Sequence, residues 1–202
     1  SAFPNVRKPD GGKPNKRLQN SYSNAFLEVL DTDKDGLFDF SENEIDSDKY
    51  NVDTDGDGVP DGQEYLTDKT DPTKPESYLV VKPNVTTTNI EANKAEIIEG
   101  AVPKTIHNNP ADTTKKLAAT NPAAGNVIVK AYKYVADDTD YTQETEKAQT
   151  TITFSDLTDG KFKVNVPAGT FADGDKVILV AYSPDGKNPM VSSTKVNVGA
   201  IK

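Results

Sequence analysis

Two stretches of the chain, DTDKDGLFDFSE at 31–42 and DTDGDGVPDGQE at 53–64, place carboxylates at positions 1, 3, 5, 9 and 12 of a twelve-residue frame, with glycine at position 6. This pattern suits a hard divalent cation. Calcium takes about six to eight oxygens, and a loop of this length supplies them from alternate side chains, one backbone carbonyl and a terminal bidentate glutamate. The first loop offers Asp31, Asp33, Asp35, Asp39 and Glu42, with the carbonyl of Leu37 at position 7. The second offers Asp53, Asp55, Asp57, Asp61 and Glu64, with the carbonyl of Val59. One D-x-D-x-D-G can arise by chance in an acidic stretch, but two copies that both reach the glutamate at position 12 are specific. Two or more Ca²⁺ ions are expected, with Asp46, Asp48, Asp68 and Asp71 as candidate extra ligands.

Charge follows the same division. Residues 31–71 hold fifteen Asp and Glu against three Lys, whereas 72–202 balance. So many carboxylates repel one another without a counter-ion, and few apolar residues hold the segment shut, so metal is expected to order it. Residues 1–20 carry five basic residues and read as a flexible leader. Nucleic acid is not an expected partner, because no aromatics interleave those basic residues and the neighbouring segment is anionic.

Other chemistry is missing. The chain has no cysteine and one histidine, His107, read as a lone exposed side chain. Neither a nucleophile elbow nor a phosphate loop occurs. Carboxylate pairs able to cleave glycosides occur only inside the loops, where a metal would occupy them. An enzyme is not expected. The longest apolar run, Val177–Tyr182, is too short to span a bilayer, so membrane insertion is not expected either. An internal isopeptide bond would need a lysine, an asparagine and an acid, for which Lys94, Asn197 and Glu144 are the conceivable set.

The elements that must position the loops are few. Tyr22, Phe26 and Leu30 fall four apart and predict a helix over 21–30 leading into the first loop, with FSENEI as its exit helix. Between the loops, NEIDSDKYNV is too short for a second entering helix. Pro60 at position 8 removes the N–H through which paired hands exchange β-bridge bonds, so a calmodulin-like pair is disfavoured. After DPTKPES, a short strand is expected at Tyr78–Val81, and the period then becomes that of strands. AEIIEG, NVIVKAYKYV, TTITF, KFKVNV, KVILVAY and STKVNV are divided by turns such as TDG, ADG and PDG. Ile152 with Phe154, and Phe162, Val164 and Val166, alternate toward a core. About seven strands predict a mainly β chain, an immunoglobulin-like sandwich behind a loop-rich calcium segment with one short helix.

The run DTDGDGVPDGQEYLTDKTDPTKPES resembles a bacterial thrombospondin type-3 repeat, with Thr70, Asp71 and Pro72 as its T-D-P turn. That resemblance covers about 31–75 and implies an extracellular, EF-hand-like calcium linker between larger modules. Residues 76–202, with AAGNVIVKAY and FKVNVPAGTFADGDKVILVAYSPDGKNP, resemble the bacterial immunoglobulin-like repeats of large adhesins and biofilm-associated surface proteins. Against that pattern the chain inserts a long loop at 101–122.

The expected division is a leader at 1–20, a calcium segment at 21–75 and a sandwich at 76–202. The chain reads as a fragment of a secreted bacterial protein, anchored to the cell wall in its parent. There calcium would rigidify the region between domains, and the parent would serve adhesion, aggregation or biofilm formation. Partners are calcium and neighbouring domains of the parent, with self-association or a host ligand left open. Two alternatives stand beside this reading: a glycan- or host-protein-binding module using loop 101–122, and the accessory region of a secreted calcium-dependent enzyme.

Overall fold

The computed structural model describes residues 30–119, 127–138, 141, 148–152 and 160–199. The expected leader, most of the helix over 21–30, Phe154 and Glu144 lie outside these residues. The chain is mainly β. Two short helices, α1 (Asp39–Ile45) and α2 (Asp61–Gln63), the second running into a π-helical turn over Glu64–Asp68, precede the strands.

One sheet has the order β1-β3-β8, formed by Asn84–Val85, Glu96–Val102 and Gly160–Val166. The other has the order β2-β11-β9-β6-β7, formed by Asn89–Ile90, Val196–Val198, Lys176–Tyr182, Val127–Lys133 and Ala148–Ile152. In this sheet β10 (Met190–Val191) also pairs with β9. A separate antiparallel hairpin joins β4 (Ile106–Asn108) to β5 (Lys116–Ala119). Among the described residues every pairing is antiparallel except β2 with β11.

The inner faces of the two sheets share one core, as their period-two patterns require. In β8, Phe162, Val164 and Val166 are buried while Lys161, Lys163 and Asn165 are exposed. Ile98 and Val102 of β3 meet Val127 and Val129 of β6 and Val177 and Leu179 of β9 in the same cluster. Gly100 leaves room for the Phe162 ring, which a Cβ there would approach to 2.7 Å. Strand β9 is buried on both faces, which explains its uninterrupted apolar run. Its outward Ile178, Val180 and Tyr182 form a second cluster with Tyr132 and Tyr141. There the Tyr182 hydroxyl donates to the Tyr141 carbonyl at 2.7 Å and lies 3.0 Å from the Tyr132 hydroxyl.

Four expectations are corrected. Tyr78–Val81 is not a strand; prolines 75 and 83 bracket it, and Tyr78 and Val80 instead send their side chains into the core. Residues 101–122 are not one open loop, because β3 ends in them and the β4–β5 hairpin is built from them. His107, on β4, is half-buried rather than exposed. The strands also outnumber seven, since β1, β2 and β10 are two-residue pairings too short to show a period. Lys94 pairs with Glu91 at 2.8 Å, and Asn197 accepts from Lys176 at 2.6 Å, so these two isopeptide candidates are engaged elsewhere.

Candidate metal centre

Each acidic loop is folded by its own aspartates, and nearly every bond of the first recurs in the second. At position 1, Asp31 accepts from the N–H groups of Lys34 and Gly36, and Asp53 from those of Gly56 and Gly58. At position 3, Asp33 and Asp55 accept from the N–H groups of Asp35 and Asp57. At position 5, Asp35 and Asp57 accept from Leu37 and Val59. The glycines at position 6 hold φ of 97° and 99°, a conformation that strains other residues and turns the chain back around the carboxylates.

The N–H at position 9 closes each loop on the residue before it, Asp39 to the Leu30 carbonyl at 2.7 Å and Asp61 to the Val52 carbonyl at 3.0 Å. The helices then deliver the glutamates at position 12. Glu42 lies on α1, and Glu64 opens the π-helical turn after α2.

This geometry brings together Asp31, Asp33 and Asp35, and separately Asp53, Asp55 and Asp57, each triad with one oxygen per residue within 4.8 Å of the others. Both triads could hold a metal ion. Glu42 and Glu64 are 0% exposed, yet both carboxylate oxygens of each have no hydrogen-bond partner. One oxygen each of Asp33, Asp55 and Asp57 is buried and unpartnered in the same way. A buried carboxylate with nothing to accept from is costly, so the arrangement requires a cation or a proton. Burial, then the charge of Asp35, pushes Asp33 up to about 7, and burial, then Asp33, pushes Glu42 up to about 8. Burial raises Asp55 to about 7, burial with Asp55 raises Asp57 to about 8, and burial with Asp57 raises Glu64 to about 10.

Asp39 and Asp61, at position 9, are placed differently. Thr32 donates to the two oxygens of Asp39 through its N–H and hydroxyl, both at 2.8 Å, and Thr54 does the same to Asp61 at 2.8 and 2.5 Å. These carboxylates brace their loops. Although burial raises it, the Thr32 bonds and Lys49 hold Asp39 below the usual carboxylate range. Leu37 and Val59 bury their side chains, leaving the backbone at position 7 as the available donor. Of the flanking acids, Asp71 is engaged by Thr73 and Lys74, Asp68 accepts from Gln63, and Asp48 accepts from the Tyr50 N–H. None of them joins a triad among the described residues.

The two loops touch. The Gly62 N–H of the second donates to the Asp35 carboxylate of the first at 2.5 Å, and a Cβ at Gly62 would collide with the Asp35 backbone carbonyl. Opposite this junction, His107 and Pro110 of the hairpin share a cleft with Asp35, Gly62, Gln63 and Leu66.

One solved structure is similar. It carries the description "Biofilm associated protein - BSP domain", is 26% identical, and superposes with a TM-score of 0.40 over 84% of this chain and 22% of that one. The chain thus spans less than a quarter of the length of that structure's chain. No family model matches, and no curated protein does.

The aspartates of both triads were among the expected site residues, whereas Thr32, Thr54 and Gly62 were not. The threonines were signalled by the repeated DTD opening of both loops. Nothing local marks Gly62, whose requirement comes from a residue of the other loop.

Proposed function

We propose that the chain is a calcium-binding structural and regulatory module of an extracellular bacterial surface protein, with Ca²⁺ in both loops. The ions hold residues 31–64 in register with an immunoglobulin-like sandwich and so set how the module stands toward its neighbours in the parent. The observation that carries this reading is the pair of fully buried glutamates, Glu42 and Glu64, at the same position of two loops that repeat the same internal bonds, each with both oxygens unsatisfied. An all-oxygen donor set of this kind favours calcium over softer metals.

The direct ligands are Asp31, Asp33, Asp35 and Glu42 in one loop and Asp53, Asp55, Asp57 and Glu64 in the other, completed by the Leu37 and Val59 carbonyls. Asp39 and Asp61 act through water or through Thr32 and Thr54. The role is not catalytic. Extracellular location, wall anchoring of the parent and service in adhesion or biofilm formation rest on the sequence resemblance of 31–75 and 76–202 to surface-protein repeats. No helix among the described residues is long and apolar enough to cross a membrane.

Calorimetric titration with calcium tests the reading. Two ions per chain are expected, with dissociation constants on the order of 10⁻⁴ to 10⁻³ M as in extracellular modules. Asp33→Ala and Asp55→Ala should each remove one of them. A folded chain that binds fewer than two ions rules the paired-loop reading out.

A further inference from the structure

Tyr78 lies outside both loops, in the segment between the calcium region and the first paired strand. Its side chain is 1% exposed and packs in the sandwich core cluster, to which the second loop contributes Val59. The Tyr78 hydroxyl has no hydrogen-bond partner. A buried phenol normally finds one, because leaving the hydroxyl unsatisfied costs roughly 1–3 kcal/mol. Burial, then the charge of Asp57, pushes this phenol well above its usual range, and Asp57 itself keeps one buried oxygen unpartnered. Tyr78 shares its buried cluster with Val59, and the loop that carries Val59 holds unpartnered buried oxygens on Asp55, Asp57 and Glu64. The apolar body of the same side chain belongs to one buried cluster with Val59, Val80 and the sandwich residues.

We propose that Tyr78 is a positioning residue of the second metal site, its hydroxyl donating to an oxygen there, a ligating carboxylate or a water on the ion. This rests on the calcium reading above and adds to it a residue from outside the acidic motif. A bond of this kind orients a ligand and raises its share of charge on the metal, as supporting partners of metal ligands commonly do. Because the ring is embedded in the sandwich core, loading of the second loop is thereby linked to the β module. The two sites are then inequivalent despite their matching sequences.

The test compares Asp33→Ala, which leaves only the second site, with Asp33→Ala/Tyr78→Phe, each full-length and titrated with calcium chloride in a calorimeter. Phenylalanine keeps the ring and removes one oxygen. The expected result is about a tenfold weaker dissociation constant in the double variant, the low end of what loss of a supporting hydrogen bond to a metal site costs. On an Asp55→Ala background, which leaves only the first site, Tyr78→Phe should change nothing. The metal-free melting temperature of Tyr78→Phe should equal or exceed that of the unaltered chain, because an unsatisfied hydroxyl has been removed. Equal affinities in the first pair, or equal losses at both sites, would overturn the assignment while leaving the calcium reading intact. Failure of the unaltered chain to bind calcium would overturn both.

Discussion

At the scale of single residues, the loops set burial against charge, and protons and metal compete for the same oxygens. Asp33 and Asp55 stand near 7 and Glu42 and Asp57 near 8, all raised first by burial. A carboxyl raised in the folded state takes up protons on folding. The metal-free loops are therefore most stable at low pH and lose stability as pH climbs from the ordinary carboxylate range through 7 to 8. On the calcium reading the ion replaces those protons, so its affinity should fall as pH drops from 8 to 6, and binding near pH 7 should release protons. Titration in buffers of different ionisation enthalpy reads this release. An observed enthalpy independent of buffer would show that the empty loops are already ionised. Gly62 offers a second measurement. Alanine there would gain about 1 kcal/mol of helix propensity, but its Cβ would press on the Asp35 backbone, and such overpacking costs roughly 1–3 kcal/mol. Gly62→Ala should thus lower calcium-bound stability by up to about 2 kcal/mol, read by denaturant melts. A stabilised variant would mean that the loops do not bear on each other there.

At the scale of elements, the legible features were those whose signal is local. The ligand frame shows as spacing in one twelve-residue window, and the exit helix FSENEI and the alternation of Phe162, Val164 and Val166 follow from short-range periodicity. Features that depend on a distant partner were not legible. Tyr78–Val81 has the composition of a strand, yet its alternate residues insert into a core made by strands far along the chain. The β4–β5 hairpin carries no hydrophobic alternation, and its pairing is fixed by a turn in which Asn109 N–H reaches the Lys115 carbonyl at 3.1 Å. Threonine at position 2 is intermediate: the repeat was visible, but its role needed the geometry. Thr32→Val or Thr54→Val keeps shape and removes one donor to an ionised carboxylate, a bond worth about 1.5–3 kcal/mol. Each should weaken calcium at its own loop by about tenfold or more and spare the other, which site-by-site calorimetry resolves. Equal weakening of both loops would place the effect in the junction at Asp35 and Gly62 instead.

At the scale of the whole molecule, the question is whether the acidic segment and the sandwich melt together. A division near residue 75 is a proposal from composition, and by itself it predicts two transitions, only the lower one sensitive to calcium. The packing argues for coupling. Val59 of the second loop sits at 2% exposure in the same cluster as Ile98, Val164 and Leu179. On the calcium reading, removing the ion frees the loop that presents Val59, and the sandwich then loses that residue from its core. A ligand at 100 times its dissociation constant stabilises the state it binds by roughly 2.7 kcal/mol per site. In a chain of this size 1 kcal/mol moves the melting temperature by about 2–4 °C, so chelating both sites should lower it by roughly 10–20 °C. Scanning calorimetry should show the main transition moving with calcium. Small-angle scattering with chelator below that temperature should show a larger radius of gyration, as the carboxylates of 31–71 repel one another once the cations are gone. A main transition unmoved by calcium would separate the two regions energetically and confine the metals to the segment before residue 75. An unchanged radius would make the ions static staples, and the parent's arrangement would then not respond to calcium.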